Sequence, residues 1–216
     1  MKTGIIGSAS VGQVLAKAFM QEGYDVMLGT RNTSKPDVVQ FAKDNPGIKT
    51  GTFAEAATFG DILVLAVAGI VAEEAMKDAG LTHFRNKVVI DVTNPIAKEP
   101  PVNGVLKYFT DINFSLMEKL QHVAPEAKFV KAFSSVGNYL MYKPDFGGTK
   151  PTMFIAGNDD KAKATVTNIL DAFGWETADM GKAEGARAIE PLCMLWCIPG
   201  MLRNEWAGHA FKLLQK

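Results

Sequence analysis

Short apolar runs alternate along the chain with segments whose apolar residues recur at helical spacing. The continuous apolar runs are typical of strands buried on both faces of a parallel sheet. The predicted strands are residues 1–7, 24–28, 49–53, 61–67, 87–92, 128–133, 152–156 and 175–180. The predicted helices are residues 13–21, 54–59, 71–79, 115–123, 161–173 and 183 to the end, the last broken at Pro199-Gly200. This alternation predicts an α/β fold with a doubly wound, mostly parallel sheet and a small helical C-terminal part.

A glycine-containing turn follows the first predicted strand, and a helix and a second strand come after it. A dinucleotide-binding Rossmann unit has these parts in this order. Gly7 permits a tight turn, Gly12 lets the helix pack closely on the strand, and the N–H groups at the helix start favour anions. We therefore predict that a pyrophosphate lies along Gly7, Ser8, Ala9, Ser10, Val11 and Gly12.

Ala9 departs from the usual fingerprint, because it stands where a middle glycine normally lets the pyrophosphate approach. A methyl group is tolerated there if the backbone φ is negative. Ser8 and Ser10 offer hydroxyl donors that compensate, and Ser10 is also expected to cap the helix.

The end of the second predicted strand is basic, with Thr30 and Arg31 followed by Lys35. An NAD site usually has an acidic residue here, and no carboxylate lies between Asp25 and Asp37. Arg31 can stack on adenine and bind a 2′-phosphate, to which Thr30 and Lys35 add donors. This pattern predicts NADP as the cofactor. The alternative is a solvated loop with two ordinary surface cations.

Small residues end the fourth predicted strand, where Ala66, Val67 and Ala68 leave room for a ribose or a nicotinamide, or serve packing alone. Asn94 ends the next strand, and it either hydrogen-bonds the ribose or carboxamide or simply forms a turn before proline. The catalytic residues stay unassigned. Lys131 and Asp91 are the only candidate proton donors, and a solvated strand end is the alternative for Lys131.

The charge balance and the two cysteines limit which classes of partner and which cellular compartment are expected for this protein. The 23 basic residues balance the 23 acidic ones, which gives no support for nucleic acid or an anionic membrane as a partner. The apolar run at 62–72 is too short to span a bilayer. Cys193 and Cys197 lie one helical turn apart, which suits neither a disulfide nor a metal site and predicts buried, reduced thiols in a cytoplasmic protein.

Several motifs together resemble the small F420-dependent NADP reductases (F420H2:NADP oxidoreductases). They are Gly7 to Gly12 with Leu15-Ala16, Gly29-Thr30-Arg31 with Lys35, residues 91–95, residues 130–133 and the helical tail. The N-terminal domain of the six-transmembrane metalloreductases is similar too. The resemblance implies a Rossmann domain, usually in a homodimer. It also implies that residues 8–11 contact the pyrophosphate, that Thr30, Arg31 and Lys35 hold the 2′-phosphate, and that residues 66–68 line the nicotinamide side.

The chain departs from this family on the acceptor side. Archaeal members have His followed by Thr near the deazaflavin, whereas this chain has Ser134-Ser135, and it has Gly137 where they have proline. The nicotinamide half therefore resembles the family, and the F420 half is altered.

These patterns predict an NADP(H)-dependent oxidoreductase that passes hydride to a small, flavin-like acceptor, with coenzyme F420 or a flavin as the candidate second substrate. The alternatives are an NADPH-dependent reductase of a small carbonyl or imine and a non-catalytic, redox-sensing NADP-binding module. Residues 1–180 are predicted to form the NADP-binding domain. Residues 181–216 are predicted to flank the substrate and, through their many apolar side chains, either to contact a second subunit or to pack on their own sheet.

Overall fold

The computed structural model describes residues 1–206 and 208–216, and its centre is one eight-stranded sheet. The strands are β1 (Lys2–Ile6), β2 (Asp25–Thr30), β3 (Ile48–Thr52), β4 (Ile62–Leu65), β5 (Val88–Asp91), β6 (Lys128–Lys131), β7 (Thr152–Gly157) and β8 (Glu176–Asp179). Their order is β3-β2-β1-β4-β5-β6-β7-β8. The first six strands are parallel, whereas β7 runs antiparallel to β6 and pairs in parallel with β8. The predicted mostly parallel sheet is therefore confirmed.

Helices cover both faces of this sheet. They are α1 (Ser10–Gln21), α2 (Pro36–Asp44), α3 (Phe53–Phe59), α4 (Ala72–Ala79), α5 (Leu116–Val123), α6 (Asp160–Ala172) and α7 (Ala186–Arg203). Successive strand residues point to opposite faces, so Ile5 packs in the core that includes α1 and α6, and Ile6 packs in the core that includes α3 and α4. The apolar runs are continuous because both faces are buried.

Two predicted boundaries are wrong. The C-terminal helix continues through Pro199 and ends at Arg203, where Asn204 adopts a left-handed backbone conformation. Residues 204–206 and 208–216 are not helical, and the Phe211 carbonyl accepts a hydrogen bond from the Thr152 N–H at the start of β7. Helix α2 was not predicted, although Pro36 in its first turn, followed by Asp37, is a recognised signal for the start of a helix.

A buried ion cluster joins the end of the sheet to the C-terminal helix. The Lys131 side chain is fully buried, and its Nζ lies 2.9 Å from Asp91 Oδ2 and 2.9 Å from Glu190 Oε1. It also donates a hydrogen bond of 2.6 Å to the Thr93 carbonyl. Burial alone would lower the pKa of Lys131, but the two carboxylates raise it above its ordinary value. The solvated strand end considered for Lys131 is therefore wrong.

Glu190 extends this cluster to a third element. Its carboxylate accepts hydrogen bonds from the N–H groups of Leu116 and Met117, both 3.0 Å long, at the start of α5. These N–H groups have no partner within their own helix, so the carboxylate satisfies them and interacts favourably with the helix dipole. Glu190 of α7 thus binds the start of α5 directly and is linked to β6 by Lys131 and, through the Lys131–Asp91 pair, to β5.

We expect Lys131→Met to lower the free energy of unfolding by about 3–5 kcal/mol, because it leaves two carboxylates buried without their cation. Urea denaturation followed by circular dichroism measures the change. Lys128→Met is the control on the same strand, since Lys128 is partly exposed and pairs with Asp159 at 3.4 Å. We expect it to cost less than about 1 kcal/mol. Equal losses in the two variants would contradict the role assigned to the cluster.

Candidate functional site

A cleft of about 330 Å³ opens at the carboxyl ends of β1, β2 and β4, where nucleotides bind in doubly wound sheets. Most of the residues predicted to bind a nucleotide line it, namely Gly7, Ser8, Ala9, Thr30, Arg31, Lys35, Ala66, Val67 and Ala68. Ser10, Val11 and Gly12 lie just behind it in the first turn of α1. Asn94 is not among the lining residues.

The turn between β1 and α1 is packed as tightly as the motif predicts. Gly7 has a φ of +126°, and a Cβ added there would overlap the Ala66 carbonyl oxygen. A Cβ added to Gly12 would overlap the Gly7 carbonyl oxygen in the same way. Both positions therefore require glycine for the helix to start directly behind the strand.

Ala9 is compatible with this turn. It is the residue that precedes α1, with a φ of −78° and an extended ψ of −177°, so its methyl group causes no backbone strain. The predicted capping role of Ser10 is wrong, because Ser10 is already the first helical residue and no side-chain cap is present on α1. The N–H groups at this helix start therefore face no competing side chain, which favours an anionic ligand.

A hydroxyl pair connects the glycine turn to the basic strand end. Ser8 Oγ donates to Thr30 Oγ1 at 3.0 Å, and Thr30 Oγ1 accepts a weaker hydrogen bond from the Asn32 N–H at 3.3 Å. Thr30 is only 4% exposed. The Gln13 side chain, from α1, donates a hydrogen bond to the Ser8 carbonyl at 3.0 Å. These contacts hold the two strand ends at a constant separation.

The two basic residues of the cleft differ in their surroundings. The Arg31 side chain is exposed, and it forms no ion pair with the residues described. Lys35 pairs with Asp37 at 2.8 Å, and this contact lowers the pKa of the Asp37 carboxyl. Both partners are about half exposed, so the pair contributes little stability and can open for a phosphate.

A second part of the cleft lining was not predicted from the sequence. It comprises apolar side chains and two carboxylates, namely Phe53, Val71, Ala75, Glu74 and Asp78. Glu74, Ala75 and Asp78 belong to α4. No local pattern indicates that this helix lines the same cleft as the end of β2, because that arrangement depends on the order of the strands.

Asn94 lies beside the cleft, next to the turn that follows β4. A Cβ added to Gly69 would overlap the Asn94 carbonyl oxygen, so this turn and the end of β5 are in close contact. Asn94 Nδ2 donates to the Ser134 carbonyl at 2.8 Å. Within the described residues, Asn94 Oδ1 and Ser134 Oγ are buried without a hydrogen-bond partner.

The candidate proton donors are engaged elsewhere. Lys131 and Asp91 belong to the buried ion cluster, and neither lines the cleft. Cys193 and Cys197 are free thiols, one buried and the other half-buried. The contact with Cys197 and burial both raise the pKa of Cys193.

Among residues 1–206 and 208–216, no three His, Cys, Asp or Glu side chains are grouped so that they could bind a metal ion. Within the same residues, no helix has the length and hydropathy needed to cross a bilayer.

Comparison with known proteins confirms the predicted resemblance. The family model "NADP oxidoreductase coenzyme F420-dependent" matches residues 2–95. The crystal structure of a candidate F420-dependent NADP reductase from Arthrobacter sp. FB24 is similar, with 27% identity, 99% coverage of each chain and a TM-score of 0.91. A hypothetical protein of Sinorhizobium meliloti, SMa0349, shares the fold at 20% identity and a TM-score of 0.72, over 100% of this chain and 96% of that one.

A curated relative is the metalloreductase STEAP3 of Rattus norvegicus, with 28% identity over 206 residues. The match covers 93% of this chain and 39% of the length of STEAP3. The structural similarity confirms the predicted Rossmann fold, and the family model and the curated relative are both oxidoreductases by name.

We expect Gly7→Ala to destabilise the protein by about 2–5 kcal/mol, because it combines backbone strain with a collision against Ala66. Gly23→Ala is the matched control, since Gly23 also has a positive φ, of 80°, but has nothing within 4 Å of an added Cβ. It should cost about 1–2 kcal/mol from strain alone. Thermal and urea denaturation measure both, and a control that costs as much as Gly7→Ala would exclude the steric contribution.

Proposed function

We propose, from the family match and the cleft, that the protein is an NADP(H)-dependent oxidoreductase that transfers hydride between nicotinamide and a flavin-like acceptor. Coenzyme F420 and flavins are the first candidate acceptors. The observation that carries this proposal is that the glycine turn and the basic strand end line a single cleft.

The residues present fit NADP. The glycine turn leaves no side chain between β1 and α1, and the uncapped helix start supplies N–H donors for the pyrophosphate. Arg31 and Lys35 would hold the 2′-phosphate, with the Thr30 hydroxyl beside them. Two charge-assisted hydrogen bonds of about 1.5–3 kcal/mol each would favour NADP over NAD by roughly 10²- to 10⁴-fold before solvent screening.

Bound NADPH would supply the hydride, and the protein would supply alignment and shelter from water. The small residues 66–68 leave space at the end of β4, and Asn94 lies just beyond them. The buried cluster around Lys131 keeps the ends of β5 and β6 in place without donating a proton. Hydride transfer between two planar cofactors needs no acid or base from the protein, which agrees with the engagement of Lys131 and Asp91 in the buried ion cluster.

The alternatives make different demands. A reductase of carbonyls or imines needs a proton donor beside the nicotinamide. Lys131 and Asp91 are poorly suited, because the Lys131 ammonium is fully engaged with Asp91, Glu190 and the Thr93 carbonyl. A redox sensor would bind NADPH without turnover, so oxidation of bound NADPH by any acceptor argues against it.

We also propose that residues 1–180 form the NADP-binding domain and that residues 181–216 flank the acceptor. The acceptor would be a small molecule, with Ser134 and Ser135 near it in place of the family's His and Thr. The two free thiols suit a reducing, cytoplasmic environment.

Exposed apolar side chains on α7 support the proposal of a homodimer. Leu195 and Leu202 are each 54% exposed, and Met201 is exposed as well. Gly104, in the loop that carries the exposed Val102, lies against Leu202, so the loop and the helix form one continuous apolar surface. Such a surface is unusual for a monomer.

We expect tight, selective binding of NADPH over NADH, measured by titration of nicotinamide fluorescence. Arg31→Ala should weaken NADPH binding by about 10- to 100-fold and NADH binding much less, because NADH lacks the 2′-phosphate and loses only the stacking of Arg31 on adenine. Lys43→Ala removes an exposed cation of α2 that does not line the cleft, and it should bind like the wild type. If NADPH and NADH bind equally and Arg31→Ala changes neither affinity, NADP specificity is refuted.

The acceptor is tested separately, by measuring the oxidation of NADPH with F420 or a flavin as the second substrate.

We expect a dimeric mass in light scattering at micromolar concentration, and a monomeric mass for the double variant Leu195→Glu, Leu202→Glu, since a charge is costly in an apolar interface. Leu214→Glu is the control, because Leu214 is 85% exposed in the C-terminal tail. A monomeric wild type would overturn the dimer proposal.

A further inference from the structure

The nucleotide cleft has two walls of opposite charge. Arg31 and Lys35, at and just after the end of β2, form its basic wall, and Glu74 and Asp78 of α4 form its acidic wall. The basic wall suits a phosphate, but two carboxylates disfavour one. We therefore expect the acidic wall to bind a part of the ligand other than a phosphate.

These carboxylates are uncompensated in the protein itself. Glu74 and Asp78 lie one helical turn apart, where like charges repel. In the part of the chain that the structure describes, they form no ion pair, whereas Glu73 on the same helix pairs with Lys77 at 2.7 Å and with Lys119 at 3.3 Å. The helix thus neutralises Glu73 but leaves the two carboxylates that line the cleft available.

The cleft also has an apolar lining that suits a flat ring. Phe53 and Ala75 line it and are 6% and 4% exposed, and Val71 lies beside them. Arg31 lines the same cleft with a planar guanidinium, a group that stacks well on aromatic faces. A planar base with a polar rim therefore suits a cleft that these apolar side chains and Arg31 line together.

We propose that Glu74 and Asp78 select adenine by accepting hydrogen bonds from its exocyclic amine. The 2′-phosphate then lies toward Arg31 and Lys35, away from the carboxylates, so the charges of the cleft admit the adenosine end in one orientation. This inference rests on the proposed function and adds base specificity to it. A 6-oxopurine is disfavoured, because it presents a carbonyl oxygen to the carboxylates where adenine presents N–H donors.

The test compares NADPH with its deamino analogue, in which hypoxanthine replaces adenine. The ratio of the two dissociation constants is measured by nicotinamide fluorescence for the wild type and for the double variant Glu74→Gln, Asp78→Asn. We expect the wild type to bind NADPH about 10- to 100-fold more tightly than the analogue. The amides of the double variant can donate as well as accept, so its ratio should fall to near one.

The ratio separates base recognition from general electrostatics, because removing negative charge strengthens the binding of both phosphate-bearing ligands alike. Glu73→Gln is the matched control on the same helix, and it should keep the wild-type ratio. A wild-type ratio near one, or a double variant that retains the wild-type ratio, overturns the inference while NADPH binding keeps the proposed function intact. A wild type that does not bind NADPH at all overturns both.

Discussion

The interaction on which the rest of the structure depends is the buried contact of one ammonium with two carboxylates, Lys131 with Asp91 and Glu190. Burying any one of these charges without its partners would carry a large desolvation cost, so the three side chains are buried together. Asp91 and Lys131 end adjacent parallel strands, and Glu190 comes from α7. Glu190 also binds the start of α5, so the cluster determines where the C-terminal helix lies on the sheet.

The contact of Glu190 with Lys131 and α5 stabilises α7, whose sequence is unusual for a surface helix. Its apolar residues surround the helix instead of lining one stripe, and Pro191 and Pro199 interrupt its internal hydrogen bonds. A helix of this kind is held by specific contacts rather than by an amphipathic face. The exposed apolar residues that remain are therefore available for the proposed contact with a second subunit.

The nucleotide cleft follows from a second constraint, the close packing of Gly7 and Gly12 behind the first strand. Because no side chain intervenes, the start of α1 comes directly against the end of β1, and Gly7 packs against Ala66 just after β4. The Ser8–Thr30 hydrogen bond connects this turn to the end of β2. The cleft then has a phosphate-binding side and an acidic side. This polarity fits a molecule with an anionic group at one end of a flat base, and it leaves the chemistry of hydride transfer to the cofactor.

The sequence by itself determined the alternation of strands and helices, the glycine turn, the basic end of β2 and the family resemblance. Each is a local pattern, because period, turn geometry and residue type act over a few neighbouring positions. The burial of Lys131, the continuation of α7 through Pro199, and the presence of Glu74 and Asp78 in the same cleft as Arg31 follow only from the tertiary structure. The partners in these cases come from segments far apart in the chain, and only the order of strands in the sheet brings them together.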